Sequence, residues 1–266
     1  MAVFRFTAMY SIIQYLSVIL LVRYDSILGD YQYLLEDLGI VLLYDFALGY
    51  TRPSSTLSPK RPRGSLMHPF LIYSFLLQTG LSAAFLLLVM HLVQQQPWYN
   101  PMEQDREDAF SNDEQYAEYF ETTVDFLQSC FQYIIIALVF SIGAPHRRPV
   151  YTNWAMWVAT LCSTGLVLMC LFAPPESIEH MQISLTEEHT QFKVYILLFA
   201  AANLVLALAV EYSYRVIKPL QTLLKLCRCK SGYKNKFKYL IDDLERDGCW
   251  PKEEKSAEAD ETVAAL

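Results

Sequence analysis

Apolar residues in this chain fall into blocks of about twenty, the length that crosses a hydrocarbon core at roughly 1.5 Å rise per residue. Five such blocks, at 6–21, 70–93, 126–142, 154–172 and 194–210, contain no Lys, Arg, Asp or Glu. A sixth stretch, 31–50, is apolar around 38–44 but carries Glu36, Asp37 and Asp45. Backbone groups in lipid must be satisfied within their own segment, so each span is expected to be a helix. The alternation of apolar and polar residues that marks a membrane barrel is absent. The pattern predicts an all-α, polytopic membrane helix bundle of six transmembrane helices.

The 53% hydrophobic content does not decide this alone, because soluble domains approach half. The charges carry more information, because they are sorted by connection. Residues 51–66 hold Arg52, Lys60, Arg61 and Arg63 and no acid, and 143–152 hold His146, Arg147 and Arg148. Beyond the last block come Arg215, Lys218, Lys225, Arg228, Lys230, Lys234, Lys236 and Lys238. Residues 94–123 instead set Glu103, Asp105, Glu107, Asp108, Asp113, Glu114, Glu118 and Glu121 against Arg106, and 173–191 hold Glu176, Glu179, Glu187 and Glu188. Basic connections stay cytosolic. With six spans, both termini are cytosolic. Charge fixes the last four spans; were 31–50 not to cross, five helices and an outside N-terminus would result.

The first block is followed by Arg23, Tyr24 and Asp25 rather than a small-residue cleavage site, so it reads as a retained span. Cys130, Cys162 and Cys170 lie in spans and Cys227, Cys229 and Cys249 in the tail, which is no disulfide framework. Cys227 and Cys229 lack a second ligand pair for zinc and sit where palmitoylation occurs. The basic segment around them suits anionic lipid, and the acidic, Ala-rich 253–266 is expected to be disordered.

The polar second stretch is where chemistry is expected. A carboxylate at a helix centre in the bilayer costs about +2.5 to +3.5 kcal/mol on insertion scales, so it persists where it pairs or lines a path. Asp37 is the foremost candidate for a cation site. Asp30, one heptad earlier, shares its face if the helix is regular, and Glu36 points roughly 100° away. The competing reading is an interfacial hairpin whose acids face water. In the first span, Gln14 and Tyr10 lie four residues apart on one face. Gln14 there suits interhelical bonding, and the rings of Tyr10, Tyr33 and Tyr44 suit either an ammonium group or the membrane interface. Gly80, Ser82, Ala83, Ala84 and 200–202 suit close helix packing, with Gln132 and Asn203 as interhelical hydrogen-bonders.

The longest non-membrane stretches, about thirty residues at 94–123 and about fifty in the tail, are too short for a self-supporting catalytic core. There is no phosphate-binding Gly-rich loop, no nucleophile–His constellation and nothing that points to nucleic acid. His146 and His189 fall on opposite sides of the membrane. No cofactor is expected in this chain, and the bilayer is its first partner.

Phe6-Thr7-Ala8-Met9-Tyr10-Ser11-Ile12-Ile13-Gln14-Tyr15 resembles the fifth membrane helix of the type V-B P-type ATPases, the endolysosomal polyamine-transporting pumps. Leu28-Gly29-Asp30-Tyr31-Gln32-Tyr33 through Asp37-Leu38 resembles their sixth helix, and Gln95-Gln96-Pro97-Trp98-Tyr99 a sequence after their seventh. The run from Ser129 to Phe140, with Phe131-Gln132-Tyr133, and the following Pro145, Pro149, Tyr151 and Asn153 resemble their eighth helix and next connection. Val210-Glu211 resembles the end of the tenth.

The resemblance runs in order over 4–211. It implies that 1–50 form substrate-path helices, 51–211 a four-helix support region and 212–266 a cytosolic tail. It also implies that Tyr10, Gln14 and Asp37 bind a polyamine such as spermine or spermidine in a late endosomal or lysosomal membrane. It does not extend that role to Glu36 or Asp45. The family's Asp-Lys-Thr-Gly motif and its nucleotide and actuator domains are absent from this sequence. ATP and Mg would therefore be bound by other domains of a full-length parent, and this chain alone is not expected to hydrolyse ATP. The alternative is a stand-alone, non-enzymatic six-helix protein, a regulatory subunit or passive pore. Lack of an Arg-rich voltage-sensor repeat and of a re-entrant filter argues against a channel.

Overall fold

The structure is a computed structural model that describes residues 2–24, 26–54, 69–99, 120–141, 147–172, 179–181, 183–185 and 189–216. The chain divides into two units between Lys225 and Leu226, and the described residues all belong to the first. The acidic 100–119, the basic Lys60, Arg61 and Arg63, and the tail with Cys227, Cys229 and Cys249 lie outside the described residues.

Five helices are long and apolar enough to cross a membrane: α1 (Ala2–Val22), α4 (Pro69–Gln94), α5 (Phe120–Phe140), α6 (Trp154–Phe172) and α7 (Thr190–Val216). The polar stretch between α1 and α4 is also helical throughout. It runs as α2 (Asp30–Leu34), a π turn (Leu35–Val41) and α3 (Leu42–Gly49) without a break. Among the described residues there is no strand beyond the isolated bridge between Pro53 and Arg147.

Local chemistry sets several of these boundaries. Pro69 opens α4, where its missing N–H is one of the orphan donors in any case. Asn153 caps α6, its Oδ1 accepting from the Met156 amide at 3.4 Å. The Gln32 side chain turns back to accept from the Gly29 amide at 3.2 Å at the start of α2.

α5 is the axis. The apolar window of α5 is 94% buried, against 28–39% for the other four long helices, and α1, α4, α6, α7 and the π turn all pack on it. The outer helices turn Leu34, Leu38, Leu76, Leu87, Trp157, Leu161, Leu198 and Val205 outward. An apolar shell of that extent is a liability in water and a lipid-facing surface in a bilayer.

The two ends of the bundle are told apart by contacts between connections. At one end the Arg148 amide donates to the Arg52 carbonyl at 3.0 Å, joining the two basic connections. There too Asn153 Nδ2 donates to the Ala47 carbonyl at 2.8 Å. At the other end Gln32 Nε2 donates to the Met181 carbonyl at 2.8 Å, and the Ser184 amide donates to Thr123 Oγ1 at 3.0 Å. Trp98 stacks among Phe120, His189 and Phe192, and the Tyr99 hydroxyl donates to Glu121. Burial, followed by the Glu121 carboxylate, pushes the Tyr99 phenol up. The stretch Asp30–Gly49 therefore runs from the second end to the first. It is not the interfacial hairpin that its acids allowed.

Three helices start or end beyond the uncharged blocks. α5 begins at Phe120 and so takes in Glu121 and Asp125, α1 takes in Arg5, and α7 takes in Lys193 and Glu211. Each of these charges is tucked inward at a helix end, where side chains rather than lipid meet it.

Candidate functional site

Thr7, Tyr10, Ser11 and Gln14 recur at the three- and four-residue spacing that makes one helix face. That stripe of α1 meets the π turn and α3. Tyr10 Oη donates to Asp37 Oδ1 at 2.5 Å, and Thr7 Oγ1 donates to Asp45 Oδ1 at 3.3 Å. Gln14 reaches the same Tyr10 hydroxyl. The three residues singled out in the sequence are thus brought together, and Asp37 is exposed on the outer side of the described bundle.

Asp37 and its neighbour Glu36 diverge by roughly 100° around the helix and so take opposite surroundings, in a stretch wound as a π turn. A π turn closes i→i+5 bonds, as the Leu42 amide does to the Asp37 carbonyl. The widened turn gives this stretch an outer ridge of Leu34, Leu38, Leu42 and Phe46, spaced by fours. Asp30 sits before it, at the first residue of α2, so the regular heptad that would align Asp30 with Asp37 is interrupted.

Glu36 turns inward and is 0% exposed, with no hydrogen-bond partner for either carboxylate oxygen among the described residues. Opposite it, α5 carries a buried polar stripe of Asp125, Gln128, Ser129, Gln132 and Tyr133. Asp125 Oδ2 accepts from Ser17 Oγ of α1, while Oδ1 has no partner. Gln132 Nε2 is spoken for, donating to the Ser82 carbonyl of α4 at 2.9 Å. Gln128, Ser129 Oγ and the Tyr133 hydroxyl have no hydrogen-bond partner among the described residues. The Tyr133 ring stands edge-on to Tyr10, with centroids 5.4 Å apart, and so joins the inner group to the outer one.

Sequence reasoning passed over Glu36 and Asp125. Glu36 was visible as a charge in a span, pointing away from Asp37, but residue type did not tell which of the two faces inward. Asp125 falls between the 94–123 connection and the uncharged block that starts at 126, and was assigned to neither. Tyr44, by contrast, is a core residue: its hydroxyl donates to Thr160 Oγ1 at 3.2 Å and its ring lies against Phe6. Among the described residues no three His, Cys, Asp or Glu side chains converge as a metal requires. The arrangement offers carboxylates, hydroxyls, an amide and ring faces, a donor set suited to N–H groups rather than to a bare divalent ion.

At the basic end a different carboxylate is fully matched. Arg5 reaches both oxygens of Glu211 at 3.2 Å, and Ser74 Oγ donates to Glu211 Oε2 at 2.5 Å. The Arg5 guanidinium also lies over the Phe140 ring, 4.1 Å from its centroid.

The chain matches the family described as "Cation transporting ATPase, C-terminus" over residues 25–214. It is 33% identical over 268 residues to the probable cation-transporting ATPase 13A4 of Mus musculus, covering 93% of this chain and 22% of that protein. It is 32% identical to the polyamine-transporting ATPase 13A3 of Homo sapiens, covering 94% of this chain and 22% of that protein. It is 34% identical to the polyamine-transporting ATPase 13A2 of Mus musculus, covering 94% and 21%. The chain thus spans about a fifth of the length of these relatives.

Proposed function

This chain belongs to the C-terminal region of the cation-transporting, type V P-type ATPases, and from that premise we propose that it supplies the substrate-path and support helices of an ATP-driven polyamine transporter. It is an integral, multi-pass membrane protein. In the proposed arrangement it crosses six times, with Asp30–Gly49 as the second crossing and both chain termini on the cytosolic side. The end-to-end course of Asp30–Gly49 and the joining of the two basic connections support that reading.

The observation that carries the site is Asp37. A carboxylate exposed on the side of a membrane bundle cannot rest against lipid without a cost of about 2.5–3.5 kcal/mol. Beside it stand a tyrosine hydroxyl and a glutamine, on helices that otherwise turn leucine outward. Such a polar seam is explained by a cation path. Asp37 would balance an ammonium group, Gln14 would accept a hydrogen bond from it, and Tyr10 would hold the carboxylate and offer its ring face. ATP hydrolysis and Mg binding would belong to other domains of the transporter. A late endosomal or lysosomal membrane is the compartment this reading implies.

The test uses the gene product at its native length in isolated membranes. Spermine should stimulate its ATPase, and Asp37→Asn should weaken that stimulation at least tenfold. An unchanged spermine titration removes Asp37 from the path. A native band at 30.7 kDa without ATPase activity would instead favour a stand-alone, non-enzymatic membrane protein.

A further inference from the structure

The inner polar group of α5 and the π turn has no role in the reading above. Glu36 lies six residues into Asp30–Gly49 and Asp125 five residues into α5, and both stretches begin at the end away from the basic connections. The two carboxylates therefore share a depth of about 8–9 Å along their helices. Both are buried, at 0% and 1% exposure. Among the described residues three carboxylate oxygens between them have no partner, and neither do Gln128, Ser129 Oγ or the Tyr133 hydroxyl.

The electrostatic surroundings make this costly. The charged groups that bear on Glu36 are Asp125 and Asp37, both acidic. Arg5 is committed to Glu211 at the far end. A buried carboxylate that lacks a cation costs several kcal/mol, and two side by side cost more. Buried polar groups in folded proteins are ordinarily matched, so a concentration of unmatched ones in the best-packed helix calls for a ligand. Tyr133 and Gln128, on the same face of α5 as Asp125, supply hydroxyl and amide oxygens that complement N–H donors.

We propose that Glu36 and Asp125, with Gln128, Ser129 and Tyr133, form an inner ammonium site, so that the transported cation is held at two points, by Asp37 outside and by this group within. The inference rests on the reading that Asp37 holds an ammonium group. It deepens that reading by giving the polyammonium chain a second point of attachment, which a singly charged cation could not fill. Buried carboxylates whose charged neighbours, among the described residues, are themselves acidic match a ligand that carries several positive charges along its length. Tyr133, edge-on to Tyr10, stands where such a ligand would pass from one site to the other.

The experiment is equilibrium binding of labelled spermine and of labelled putrescine to the native-length product in lipid nanodiscs. Glu36→Gln and Asp125→Asn are each expected to weaken spermine at least tenfold and putrescine less than twofold, while Asp37→Asn weakens both. Both inner substitutions replace a buried acid by its neutral isostere, and unchanged thermal unfolding midpoints would show that the bundle is intact. If Asp37→Asn weakens spermine and the inner variants bind it normally, the inner site is overturned and the outer reading stands. Equal loss of both amines on inner substitution overturns the two-point arrangement. If no variant weakens spermine, both readings fall.

Discussion

Glu211 and Asp37 are both acids on membrane helices, and the bundle treats them in opposite ways. Glu211 is enclosed, gripped by Arg5 through both oxygens and by Ser74. Asp37 is exposed and, among the described residues, held by Tyr10 alone. The first arrangement ties α1, α4 and α7 together at the basic end. The second leaves a carboxylate with acceptor capacity to spare on the side of the bundle. A charge that is needed for structure is matched within the fold, and one left unmatched is available to something that comes and goes.

The comparison breaks most visibly at Arg5. Arg5→Ala would strand Glu211 at 2% exposure, and removing one partner of a buried pair costs about 3–5 kcal/mol. The thermal midpoint in detergent should drop sharply, and replacing both residues by apolar ones of similar volume should restore most of it. An unchanged midpoint in Arg5→Ala alone would mean that the pair is not structural.

Next in size is Asn153, which joins the end of α3 to the start of α6 through the Ala47 carbonyl, Thr51 Oγ1 at 3.1 Å and its own cap on Met156. Asn153→Ala is expected to cost about 1–3 kcal/mol, read by the same unfolding measurement, with amine binding unchanged. The smallest effect on stability should come from Tyr10→Phe. Losing its hydroxyl bond to Asp37 should cost at most about 1 kcal/mol, while amine affinity falls several-fold. A stability loss as large as that of Arg5→Ala would place Asp37 among the structural acids and erase the distinction.

The lipid-crossing helices were legible because twenty apolar residues in a row admit few other structures. The charge alternation also read correctly that the 51–66 and 143–152 connections share an end, as the Arg148–Arg52 hydrogen bond bears out. Of the site, Tyr10, Gln14 and Asp37 were legible from residue type, helical spacing and resemblance. The structure brings them together, and their role in binding is the proposal to be tested. Glu36 and Asp125 were not. An apolar block is trimmed where its first charge occurs, so Asp125 fell between connection and block although α5 begins five residues earlier. Glu36 and Asp37 diverge around the helix, but their like charges leave no mark that tells the inward one from the outward one. Side-chain patterns report which face meets lipid, and a buried polar stripe inside an axial helix has no lipid face to report.

The π turn has a consequence for insertions and deletions. A helix that widens over Leu35–Val41 holds a surplus residue relative to a plain α-helix of the same height. Deleting one residue there would let the stretch close as a plain α-helix, with the parts on either side keeping their phase. Leu42 and Phe46 would stay on the outer side, and Tyr44 in the core where its hydroxyl meets Thr160. Deleting one residue from α3 itself would instead rotate everything beyond the cut by about 100°. The widened turn is slack in an otherwise rigid rod: it absorbs a change of length that a regular helix would turn into a rotation.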